Sequence, residues 1–135
     1  MFGSLDISTS ALIAHRTRLD TISANIANAR SIVNEQTGAY EPFQRRIATL
    51  SPGDPATGNA QGVHVADIAL DPSPPRLEYD PFSPFANADG YVGYPNINIV
   101  IEQMNAMEAA RSYEANIAAV EATKSMMSVA LQMLG

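Results

Sequence analysis

The chain has no cysteine and no tryptophan. Without cysteine there is no disulfide, no thiolate nucleophile and no sulfur-ligated metal. Histidine is nearly absent too. His15 and His64 sit in separate segments, and neither has a Glu or His partner at ligand spacing, so no metal or catalytic role is expected of them. Basic charge is scarce: eight Lys and Arg face fourteen Asp and Glu, for a net charge of −6. Nucleic acid is excluded as a partner on this balance, because phosphate binding needs a clustered cationic surface. No apolar run reaches the roughly 18 residues of a membrane span. The first residues, MFGSLDISTS, lack a basic n-region and a long apolar core, so no cleaved signal peptide is expected. Gly53, Gly58 and Gly62 lack the Lys-Ser/Thr of a phosphate loop. Asp67, Asp71, Glu78 and Asp80 fit no calcium-loop spacing and read as a solvated strand edge. No Ser–His–acid arrangement is visible. These absences point away from an enzyme: no catalytic, cofactor-binding or metal-ligating residue is expected.

The last forty residues, Pro95 to Gly135, are what the chain has in abundance. No proline or glycine interrupts them. Pro95 suits a helix start, Asn96 or Asn98 can cap it, Glu102 lies near the positive end of the dipole, and Gly135 is a plausible stop. Ala106, Ala110, Tyr113, Ile117, Val120, Met127, Leu131 and Leu134 fall in alternating steps of three and four, with Lys124 as the one polar intruder. That is a heptad seam, the pattern by which helices pair side by side. A helix of that length would run about 55 Å, more than a compact domain of this size needs, so it must lie along another helix.

A second helical pattern runs from about Ser4 to Ala29. Leu5, Leu12, Leu19 and Ile26 recur every seven residues, Val33 continues the count, and Ile22 and Ala29 supply the second position. Ser8 and His15 hold that position in the earlier turns, so the seam is half apolar there. The run is rich in Ser, Thr and Asn, which compete with the backbone for hydrogen bonds, so this helix needs a partner. Asn25 and Asn28 lie one turn apart and read either as register-setting buried amides or as a solvent-facing patch. Between the helices, strands are expected near Ile47–Leu50, over Val63–Leu70 with a bulge near Ala66-Asp67, and near Leu77–Tyr79. Residues 52–62 read as a flexible loop and residues 80–95 as a Pro/Asn/Gly loop. The expected fold is mainly α, with two long terminal helices paired as a coiled coil around a small β-rich insert. Residues 1–36 form the first helix of the core, 37–94 the insert, and 95–135 the second helix. The insert is expected to project from one end of the pair.

Both ends also carry a family likeness. Ser10 to Ala29, with Ser23, Asn25, Ile26, Ala27, Asn28 and Ala29 at its heart, resembles the N-terminal signature of bacterial flagellar rod and hook proteins. The Gly-Tyr that follows in that family is looser here, as Gly38-Ala39-Tyr40. Asp80 to Met126 resembles the C-terminal half of flagellar basal-body rod proteins. Its motif residues are Gly90, Tyr91, Pro95 and Asn96 at the helix entrance, then Arg111, Tyr113, Glu114 and Asn116. The resemblance implies a structural subunit of the proximal rod, a hollow drive shaft that transmits torque and encloses the export channel. It implies assembly through the terminal helices, with copies of itself and other rod subunits as partners. The membrane-ring/rod junction protein and the flagellar export apparatus are further candidates. It implies a periplasmic place in the basal body, reached through the type III apparatus without a cleaved signal peptide. The alternatives are another axial protein of the rod or hook, or a secreted helical adaptor of the export apparatus.

Overall fold

The computed structural model describes residues 2–55 and 58–134, apart from the side chains of Phe2, Asn59 and Leu134. Its elements in order are α1 (Phe2–Ala27), β1 (Arg46–Asp54), β2 (Asn59–Leu70), β3 (Arg76–Tyr79), β4 (Tyr91–Tyr94) and α2 (Ile99–Leu134). Two terminal helices thus enclose a β insert. Asn98, rather than Asn96, starts α2: its Oδ1 accepts the N–H of Val100 at 3.0 Å and that of Ile101 at 3.4 Å. At the far end of α1, Asn28 Nδ2 donates at 2.8 Å to the Ala24 carbonyl, which also accepts the Asn28 backbone N–H at 3.1 Å. Gly135, the expected stop, lies outside the described residues.

The helices run antiparallel. Asn25 meets Glu102 at 3.0 Å and Arg18 meets Glu108 at 3.6 Å, so rising numbers on α1 face falling numbers on α2. The same register puts the start of α1 level with about Lys124. Roughly ten residues of α2, about 15 Å of helix, therefore extend past the end of its partner. On α1 the expected repeat (Leu5, Leu12, Leu19, Ile22, Ile26) is buried or half-buried throughout, with Ala29 buried where the chain leaves the helix.

The hairpin of β1 and β2 does not project from the end of the pair, as expected, but folds back along α1. Val63 donates its N–H to Ser10 Oγ at 3.0 Å. A Cβ at Gly62, whose φ is +91°, would stand 2.7 Å from that same oxygen, so only glycine permits this approach. The stripe that receives the hairpin, Ser10, Ala14, Thr17, Thr21 and Asn25, is built of small or compact residues that let a sheet come close. The hydroxyls of Thr17 and Thr21 are satisfied by the carbonyls one turn back, at 3.1 and 2.8 Å. The Ser/Thr/Asn content that weakens the helix alone is therefore its second contact face.

Strand positions match the expected centres, and the bulge is where the alternation slips. Thr49 pairs with Asp67 and Leu50 with Val65, which leaves Ala66 as the extra residue. Two loops turn out to be partly strand. Pro52–Asp54 and Asn59–Gly62 belong to β1 and β2, because Gly53 (φ +85°) and Gly62 absorb the left-handed geometry while the ladder continues. Residues 91–94, read as loop, form β4 against β3, from Arg76 opposite Tyr94 to Tyr79 opposite Tyr91. Tyr40 Oη closes the free edge of β4, donating to the Gly93 carbonyl at 2.9 Å and accepting its N–H at 3.0 Å.

Candidate functional site

At the elbow where α1, α2 and the insert meet lies a buried polar junction. Asn25 and Glu102 are each only 1% exposed. Asn25 behaves like a peptide group. Its Oδ1 accepts the Arg46 N–H at 2.9 Å and its Nδ2 donates to the Arg46 carbonyl at 2.8 Å. The second Nδ2 proton goes to Glu102 Oε2. Arg45 grips the other carboxylate oxygen, Oε1, with Nε at 2.8 Å and Nη2 at 2.6 Å. Its Nη1 lies 3.5 Å from Asp71 Oδ2 at the far end of the hairpin. Asp71 is held below the usual carboxylate range, first by its hydrogen bonds from Ser73 and then by Arg45. One residue from each helix and both ends of the hairpin thus converge on a single ion pair. Such a pair fixes an angle more than it adds stability, because desolvating the two charges offsets much of their attraction.

Of the other family-motif residues, some lie at the entrance to α2 and others further along the two helices. Pro95 is buried just before α2 and Asn96 is exposed beside it. Gly90 turns the chain into β4 with φ +81°, and a Cβ there would meet the Tyr79 ring at 3.0 Å. Tyr91 packs edge-on against Tyr79 at 5.3 Å. Asn116 Nδ2 donates to the Ser112 carbonyl within α2. Ser23, Arg111 and Glu114 are exposed, Ile26 and Tyr113 half-buried.

Along α2, the least exposed line runs Glu102, Ala106, Ala109, Tyr113, Asn116, Val120, Thr123, Met127 and Ala130. It shares Ala106, Tyr113, Val120 and Met127 with the line read from the sequence. It differs at the alternate positions, where Ala109, Asn116, Thr123 and Ala130 take the places of Ala110, Ile117, Lys124 and Leu131. Ala110 is half-buried, but Ile117 is 36% and Leu131 68% exposed, and Lys124 is exposed. The side chain of Leu134 lies outside the described residues. Polar Asn116 and Thr123 hid the true line, since both spend their side chains on their own helix. Counting four back from Ala106 lands on Glu102, a lone carboxylate at a seam position; that was the available signal for the junction. Arg45, one of two adjacent arginines, carried none. The outer face of α2 is apolar at both ends, with Val100, Met104 and Met107 near its start and Met126, Val129 and Met133 near its finish, all more than half exposed. Among the described residues no group of metal-ligating side chains gathers, and no helix is long and apolar enough to cross a membrane.

Residues 5–29 match the family described as flagella basal body rod protein, and residues 88–133 match the flagellar basal body rod FlgEFG protein C-terminal family. The flagellar basal-body rod protein FlgC of Bacillus subtilis strain 168 is 40% identical over 144 residues, spanning 97% of this chain and 96% of its own. The chain belongs to the FlgC family. FlgC of Escherichia coli O6:H1 is also 40% identical, over 90% of this chain and 89% of its own. FlgC of Borreliella burgdorferi is 37% identical over 99% and 97%. The two matched segments cover most of both helices, the second taking in β4 as well; Asn25 and Glu102 of the elbow lie within them, Arg45 and Asp71 outside. The protein is a structural subunit of the flagellar basal-body rod.

Proposed function

We propose that this subunit builds the proximal rod, the hollow shaft that transmits torque and encloses the export channel. In this reading residues 1–36 and 95–135 form the coiled-coil core and residues 37–94 the outer insert. The subunit meets copies of itself and other rod subunits through its helices, and the membrane-ring/rod junction protein and export apparatus at the rod's base. It reaches the periplasm through the type III apparatus without a cleaved signal peptide, and it carries out no chemistry. The observation that carries the reading is the outer face of α2. A helix pair stiffened by a buried ion pair leaves large apolar side chains exposed at both ends of a face about 50 Å long, and each is worth about 1.5–3 kcal/mol when covered. A shaft needs such repeated contacts between stiff elements. The deciding measurement is mass spectrometry of detergent-resistant hook–basal bodies from the native organism. A few copies of this chain per particle support the reading. Its absence there, with the chain soluble in the cytoplasm, overturns it in favour of an export-apparatus adaptor.

A further inference from the structure

We propose that the groove between the first half of α1 and the β1–β2 hairpin receives the overhanging end of α2 from a second copy of this chain. The proposal rests on the rod reading above and names one of its contacts. The groove is walled by Ile7, Ser10, Ile13 and Ala14 on α1 and by Val63 and Val65 on β2. Ile7 is 41% and Ile13 64% exposed, so the pair of elements does not cover its own apolar wall. The overhang is the complementary object. Met126, Val129 and Met133 stand at i, i+3 and i+7 on one helix face, the spacing by which an amphipathic helix anchors in a groove.

Charge fits as well. The groove's lining carries Asp6 and Asp54 and no Lys or Arg. From Ser125 to Leu134 the overhang has no charged side chain, and the residue at its root is Lys124. Among the described residues, the overhang of α2 cannot fill the groove of its own chain. Its α2 runs straight past the start of α1, with no proline or glycine from Asn96 to Leu134 at which to turn back. A neighbour displaced along the helix axis can fill it, and its own groove then takes the next overhang. Such a contact is heterologous and does not close, which is what a growing shaft requires.

The absence of native cysteine makes the test clean. Ile13→Cys and Val129→Cys are introduced singly and together. Both positions are more than half exposed, so the fold tolerates them. Within one chain the helix register separates them by about 20 Å, beyond the roughly 7 Å that a disulfide allows. Purified double variant at high concentration, and hook–basal bodies assembled from it, are oxidised mildly. The expected result is a ladder of disulfide-linked species at multiples of the chain mass, absent from either single variant. A control pair, Phe82→Cys with Val129→Cys, should give none. No ladder in either preparation, with the variant present in the basal bodies, overturns the docking while leaving the rod reading intact. A ladder of equal yield from the control pair overturns it too. The copy count of the unmodified chain in basal bodies decides the rod reading separately.

Discussion

Glu102 shows how much one residue can settle. Its carboxylate is buried, and three donors from Asn25 and Arg45 reach it. Arg45→Ala leaves that charge uncompensated, and the expected loss is about 3–5 kcal/mol in urea unfolding. The double variant Arg45→Met with Glu102→Leu removes both charges and should lose less than Arg45→Ala alone; a larger loss would mean the pair is strongly stabilising in itself. His15 sets a different test. Burial, then the nearby Arg18, holds its pKa below the usual 6.5, with Glu108 opposing more weakly, and its buried Nδ1 has no hydrogen-bond partner among the described residues. The folded state therefore binds this proton less readily than the unfolded chain. Stability should be level above about pH 6.5 and fall as the pH drops from there toward the lowered value. In His15→Gln, thermal melts should lose that slope. The depressed Asp71 adds a further loss only at lower pH, as it too becomes protonated.

At the scale of elements, the hairpin's seat on α1 depends on one glycine. Gly62→Ala forces a Cβ to 2.7 Å from Ser10 Oγ at a left-handed φ, and should cost about 1–3 kcal/mol. Amide exchange should speed at Val63 and Val65 first, with the α1–α2 pairing near Ala109 unaffected; uniform loss of protection would argue against a local effect. How legible these elements were varies with the signal each carries. The strand centres and the Ala66 bulge follow from side-chain periodicity, and the structure keeps them; the seven-residue count on α1 falls on residues that are buried or half-buried. β4 was not legible. Four residues, Tyr91 to Tyr94, are too short for a pattern, and they are strand only because β3 and the Tyr40 hydroxyl occupy their two edges. The alternate line of the α2 seam was obscured because Asn116 and Thr123 are polar yet satisfied locally.

For the whole molecule, stability should be graded along α2. Its first half is pinned by Glu102 and Ala109, while its last ten residues have no α1 beside them. Amide exchange on dilute monomer should find Ala106–Ala109 protected and Val129–Met133 fast, with the latter ordering on assembly. Strong protection throughout Ala106–Leu134 in the monomer would contradict this. Removing Leu131–Gly135 should leave the circular dichroism of the monomer nearly unchanged and abolish sedimenting assemblies.

By itself the sequence determined the two helices, their need for a partner, the place of the first three strands and the family. Each of these rests on local pattern: apolar spacing, the lack of helix breakers, turn residues and motif identity. Only the tertiary structure decided where the hairpin lies, which line of α2 meets α1, and that Asn25, Arg45, Asp71 and Glu102 form one junction. Those four residues come from segments up to 77 positions apart. Their meeting depends on the length of α1 and the turn back to β1, which place Arg45 and Arg46 beside Asn25, and no local pattern encodes that distance. The overhang of α2 is likewise a difference between two helix lengths at a given register, fixed only once contacts such as Asn25 to Glu102 set that register.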